Sequence, residues 1–129
     1  MNLAILFTSA TAVFGLPPGL LDAVCYVESK HQIHAFHKDD GHANSVGICQ
    51  VKLATARMLG FKGTETELME PGTNINFAAK YLAHQYDRYG TAWESVCAYN
   101  TGSYRMAQDG LAVNREYGKK VFKVWLSQK

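Results

Sequence analysis

Glu28 is the residue of this chain with the most chemistry to offer. Leu21, Val24, Cys25 and Glu28 recur at three- and four-residue spacing, which puts all four on one face of a helix. A carboxylate on a face used for packing is costly to ionise, because burial disfavours the charged form and raises the pKa. A carboxyl group that keeps its proton near neutral pH can hand it to a leaving group and later take a proton back. The blander reading is a half-exposed glutamate at a helix end, paired with Lys30 or Arg57, and on the stripe alone that reading leads. A second cluster lies just downstream, where four of the five histidines fall between residues 31 and 42. His31, His34 and His37 are spaced by three, and Asp39, Asp40 and His42 follow, so a zinc site can be drawn on paper. There is no H-E-x-x-H and no cysteine pair at ligand spacing, so no metal is expected. Asp39-Asp40-Gly41 reads as a solvent-exposed turn.

The elements that must position these groups are short helices. A chain of 129 residues, 47% hydrophobic and 19% charged, has the composition of a single globular domain with a real core. A net charge of +2 is too small to indicate nucleic-acid binding. Lys119, Lys120, Lys123 and Lys129 gather at the C-terminus and read as a solvated helix face. Leu3 to Phe14 reads as a first amphipathic helix rather than a secretory leader, since no Lys or Arg precedes its short apolar run. No segment approaches the roughly 18 apolar residues of a membrane span.

Leu16-Pro17-Pro18-Gly19 separates that helix from the one bearing Glu28, with proline in the new helix's first turn and an end near Lys30. Leu53 to Leu59 predicts a short helix stopped by Gly60, and 63–72 predicts a loop. Thr73 and Thr91 are candidate caps for the next two helices, Tyr104 to Gln108 predicts a further short one, and Asn114 can cap the last. That last helix carries an apolar stripe of Tyr117, Val121, Val124 and Trp125. No segment alternates convincingly as a strand. The expectation is one compact, mostly α domain, with room for a small β-hairpin at 37–50. Cys25, Cys49 and Cys97 are odd in number and sit among apolar neighbours, so they read as buried thiols, although one pair could bridge in an oxidising compartment.

Three motifs occur together in a familiar order. Glu28-Ser29 ends a helix, Gly47-Ile48-Cys49-Gln50 precedes Thr55-Ala56, and Ala98-Tyr99-Asn100-Thr101-Gly102 closes a later helix. With Leu16-Pro17-Pro18 before the glutamate and Asn74-Ile75-Asn76 leading to Tyr81-Leu82, the chain resembles the lytic transglycosylase domain of the soluble type, related to goose-type lysozymes. The resemblance runs from Leu3 to Gly102. It implies a lysozyme-like helical fold, with Glu28 as the catalytic acid and base. It also implies that Gln50, Tyr99 and Asn100 wall the cleft, with Ser45, Ser29 and Tyr81 as further candidate contacts. Most other aromatics, Trp93 and Trp125 included, read as core. Where relatives commonly have methionine before the glutamine, this chain has Cys49, a change of packing contact more than of chemistry. The segment between Glu28 and Gln50 also looks a few residues longer than in many relatives.

The activity so implied is cleavage of the bond between N-acetylmuramic acid and N-acetylglucosamine in peptidoglycan glycan strands. One glutamate acts as acid and then as base, the muramyl 6-hydroxyl closes the ring, and no cofactor, metal or nucleotide takes part. The alternatives are hydrolysis, with Asp39 or Asp40 activating water, and a non-catalytic virion or wall-binding module on the same fold. A leaderless domain acting in the periplasm or cell wall would be released or delivered by other proteins, as suits a bacteriophage product or a bacterial or plasmid-encoded wall-opening enzyme.

Overall fold

A computed structural model of the chain describes residues 2–38, 44–108 and 111–128. α1 (Leu3–Phe14) starts where Asn2 accepts from the Ala4 amide at 2.9 Å and ends at Gly15 in the left-handed region. α2 (Leu20–Ser29) begins two residues after the prolines, not on them. Pro18 holds Pro17 out of helical geometry, and Gly19, at φ 82°, turns the chain before the helix can start. Lys30 and His31, both at positive φ, stop α2 sharply just beyond Glu28 and Ser29.

A small antiparallel sheet follows, β1 (Phe36–His37), β2 (Ser45–Val46) and β3 (Val51–Lys52), in the order β1-β2-β3. The expected hairpin is thus a three-stranded sheet whose strands of two residues are too short to show alternation in sequence. α3 (Leu53–Met58) matches expectation. The expected loop at 63–72 contains α4 (Glu65–Leu68), formed because Thr64 and Glu67 make a reciprocal capping box. α5 (Pro71–Tyr89) starts earlier than Thr73, since the Glu70 carboxylate accepts from the Gly72 and Thr73 amides at 3.0 and 2.8 Å. α6 (Ala92–Thr101) is capped by Thr91 as expected.

Residues 104–108 are not helical. Met106 forms a lone antiparallel bridge with Ala112, and Tyr104 donates its amide to the Tyr89 hydroxyl. α7 (Arg115–Ser127) follows Asn114, but the asparagine does not cap it. The Asn114 amide donates instead to Cys97 O and Thr101 Oγ1, fastening the start of α7 to α6. Lys119, Lys120 and Lys123 lie exposed along α7, and Lys129 lies outside the described residues.

The core is built from α2, α5 and α6, with Leu20, Leu21, Val24, Ile75, Leu82 and Val96 fully buried. α7 closes against α2 and α6. Gly118 lets it do so, because a Cβ there would lie 2.8 Å from the Trp93 ring. Trp125 adds a tie at the far end by donating to Pro18 O. The cysteines depart from expectation. Cys25 and Cys49 are joined in a disulfide, while Cys97 is a buried free thiol. Two apolar runs 24 residues apart carry no motif that announces the bridge. It replaces the expected packing contact at Cys49 with a covalent tie.

Candidate active site

The end of α2 faces a cleft of about 240 Å³. Ser45, Gln50 and Lys52 line its sheet side, and Tyr81, Tyr99 and Asn100 its α5–α6 side, with Glu28 between them. Ser29 is not among its lining residues. Its hydroxyl donates to Ile48 O at 2.6 Å and accepts from the Gln32 amide, holding the turn before Gln50 against α2.

The turn Gly47–Gln50 is tied down from three sides. Cys49 is bonded to Cys25, one helical turn before Glu28. Its amide donates to Asn74 Oδ1 at 2.8 Å, and its carbonyl accepts from the Tyr99 hydroxyl at 2.9 Å. Asn74, buried on α5, also donates to Val46 O and Leu68 O, so both its N–H groups and its carbonyl oxygen are engaged. Gly47, at φ 82°, passes so close to this asparagine that no Cβ would fit. Gln50 itself sits at φ 51°, an unusual setting for a residue with a side chain. Its Nε2 donates to Ala35 O and Gly47 O, which leaves the side-chain carbonyl as the group it can offer a ligand.

Across the cleft, Tyr81 and Tyr99 rings lie 5.2 Å apart. Tyr99 is largely buried with its hydroxyl committed to Cys49, so it shapes the wall more than it reaches into the cleft. Asn100 is exposed at the rim. The end of α6 is held by α5, where Gln85 and Arg88 both donate to Gly102 O.

Glu28 has a partner that sequence reasoning missed. Tyr117 on α7 donates its hydroxyl to Glu28 Oε2 at 2.6 Å. Burial of the carboxyl pushes its pKa up to about 7, against the Tyr117 hydrogen bond and the positive charge of Lys52, both of which favour the ionised form. The phenol of Tyr117 is held well above its ordinary range by burial and by the neighbouring carboxylate, so it remains a donor. Neither Lys30 nor Arg57 is the base that acts on Glu28; among described residues Lys52 has that place. Such a carboxyl, partly protonated at neutral pH and oriented by a phenol, can act as a general acid and then as a base.

The histidine cluster comes apart. His31 pairs with Asp22 at 2.8 Å beside the Phe7 and Tyr26 rings. No group of three potential metal ligands forms among the described residues, while Asp39, Asp40 and His42 lie outside them. Among the described residues no helix is long and apolar enough to cross a membrane.

The chain is similar to known proteins in sequence and in fold. The family model of the Transglycosylase SLT domain matches residues 5–122. A curated relative, the X polypeptide of Escherichia coli, is 30% identical over 124 residues, covering 92% of this chain and 71% of the relative. Among solved structures, an inactive mutant of the lytic transglycosylase Slt from Pseudomonas aeruginosa superposes with a TM-score of 0.78 at 18% identity, over 96% of this chain and 23% of that one. The 70-kDa soluble lytic transglycosylase of Escherichia coli gives a TM-score of 0.67 at 25% identity, over 77% of this chain and 16% of that one. The chain thus spans about a quarter or less of these two solved enzymes. With the fold, the motifs and the family match in agreement, the chain belongs to the Transglycosylase SLT domain family and represents the peptidoglycan lytic transglycosylase class of enzyme.

Proposed function

We propose that Glu28 alone supplies both proton transfers in cleavage of the glycosidic bond between N-acetylmuramic acid and N-acetylglucosamine. The observation that carries this reading is a partly buried carboxyl with a pKa near 7, held by Tyr117 in the cleft. Retaining and inverting glycosidases use two carboxylates flanking the bond. Among the described residues lining this cleft, Glu28 is the one acid. Its protonated form gives a proton to the glycosidic oxygen as positive charge grows on the muramyl ring. The resulting carboxylate then removes the proton of the muramyl 6-hydroxyl, whose oxygen bonds to the anomeric carbon. The bond to the leaving sugar breaks, the proton count is restored on Glu28, and a 1,6-anhydromuramyl end is formed. An internal hydroxyl competes with water because oriented intramolecular nucleophiles reach effective molarities of about 10⁵ M or more. Ser45, Gln50, Tyr81 and Asn100 hold the glycan, Gln50 by its carbonyl and Tyr81 by its ring, and Tyr99 shapes the wall they stand on.

The test is digestion of purified peptidoglycan followed by mass analysis. Anhydro ends are expected; reducing ends one water heavier would make the enzyme a hydrolase. Glu28→Gln is expected to lower cleavage by about a thousandfold or more while the chain stays folded, because the amide cannot donate an acidic proton. Near-normal cleavage in that variant would remove Glu28 from the mechanism.

A further inference from the structure

The disulfide has no part in the reaction just described, yet it joins two segments that the reaction must keep in register. Cys25 lies one helical turn before Glu28 on α2, and Cys49 immediately precedes Gln50. Both cysteines are fully buried. The Gly47–Gln50 turn has other anchors, but they run elsewhere, from the Cys49 amide to Asn74 on α5 and from the Cys49 carbonyl to Tyr99 on α6. Between α2 and the turn, the side-chain hydrogen bond among the described residues is that of the Ser29 hydroxyl to Ile48 O at 2.6 Å. Opening the disulfide therefore leaves the turn fastened to α5 and α6, while the helix that carries Glu28 is held to it by Ser29. Two thiols also need more room than two bonded sulfurs. A close-packed interior has none to give at fully buried positions, so the turn and α2 must move apart. A misplacement on the order of 1 Å between reacting groups can cost about a hundredfold in rate.

We propose that the Cys25–Cys49 bond is a positioning link that makes glycan cleavage conditional on oxidation: the reduced chain folds but cuts poorly, and closing the bond brings the Gly47–Gln50 wall into register with Glu28. From the reading under Proposed function this needs only that the cleft of Glu28 cuts glycan. A chain of 129 residues buries enough apolar surface to fold without a cross-link, and its core of α2, α5 and α6 is packed from apolar side chains. The closing step is thiol–disulfide exchange. The two cysteine thiols give two electrons and two protons to a disulfide-bearing oxidant, which leaves as two thiols while the Cys25–Cys49 bond forms. Reducing compartments keep such pairs open and oxidising ones close them. The chain is thus quiet in a reducing compartment and competent in an oxidising one. Once formed, the bond lies out of reach of attacking thiolates, because both sulfurs belong to fully buried residues. The change therefore runs in one direction while the chain stays folded.

The experiment compares the full chain in two redox states on soluble glycan strands, counting cuts by mass spectrometry whatever the chemistry of the new ends. One sample is refolded and kept in dithiothreitol; the other is the same protein oxidised with glutathione disulfide and then freed of it. Circular dichroism should show both samples folded at the assay temperature. The reduced sample should have a kcat/KM lower by about tenfold or more, restored on oxidation. Its amides at 47–50 should exchange with deuterium faster, while those of Leu82 and Val96 in the core should not change. In Cys25→Ala/Cys49→Met a flexible thioether fills the space of the bridge, so this variant should cut equally well with and without reductant. Cys97→Ala should keep the wild-type response. Equal activity of the two wild-type samples would overturn the proposal. So would a reduced sample that is unfolded, since the bond would then be a staple of the fold alone. A response that persists in the double variant or disappears in Cys97→Ala would overturn it too, by tracing the effect to another group. Each of these outcomes leaves the glycan-cleaving reading in place. Failure of the oxidised wild type to cut would overturn that reading and this inference with it.

Discussion

Glu28 and Tyr117 make a couple whose behaviour with pH is fixed by the direction of each influence. The glutamate titrates near 4.5 in an unfolded chain and near 7 when folded, so the native state holds this proton the more tightly. The contribution to stability is therefore complete below 4.5 and is lost as pH rises through 7, a difference of about 3–4 kcal/mol at about 1.4 kcal/mol per unit. Glu28→Gln should accordingly raise the Tm at pH 8 and leave it nearly unchanged at pH 4, which thermal melts at the two pH values can check. On the proposed role of Glu28 as the acid, kcat/KM should be level below about pH 7 and fall roughly tenfold per unit above it. In Tyr117→Phe the bond favouring the carboxylate is gone, so the alkaline limb should move to higher pH. The plateau should drop about tenfold, because the carboxyl is no longer held in one orientation. A limb displaced downwards would mean that Tyr117 acts otherwise than as a donor to Glu28.

At the scale of elements, α5 is the spine on which the site is assembled. Through Asn74 it holds the Gly47–Gln50 turn, and through Gln85 and Arg88 it holds the end of α6. Asn74→Ala would strand the Cys49 amide and the Val46 and Leu68 carbonyls in the interior, so a loss of about 3 kcal/mol is expected in denaturant titration. The amides of 47–50 should exchange with deuterium much faster in that variant, since their anchor to α5 is gone. Much of this scaffold was legible beforehand. Helical spacing placed α1, α2, α3 and α6 closely, because each has a clear apolar face or a cap such as Thr91. What misled were local side-chain contacts that compete with periodicity. Glu70 took over the capping expected of Thr73, and Thr64 with Glu67 made a helical turn inside an expected loop. Tyr117 went unnoticed for a different reason. It is 89 residues from Glu28, and its stripe with Val121 looks the same whether the ring merely packs or its hydroxyl also reaches a carboxyl.

Taken whole, the molecule is two sides of a cleft held by cross-links that are distant in sequence: Cys25 to Cys49, Tyr99 to Cys49, Glu28 to Tyr117. Motif order identified the family because it places the residues of both walls, and the sheet and disulfide escaped because neither leaves a periodic trace. The third cysteine then matters in a way unrelated to the cleft. In the native fold Cys97 is buried, its thiol is pushed up to about 11 by burial and by Glu94, and it is reserved from exchange. In an unfolded chain it is as exposed and as acidic as the others, so oxidation before folding can join it wrongly to either partner. The order of events during maturation therefore decides yield: collapse first and oxidation second favours the native pair. Cys97→Ala should raise the recovery of active protein from oxidative refolding and abolish the misbridged monomers separable on a non-reducing gel. Its effect should be small when the chain is refolded under reducing conditions and oxidised afterwards.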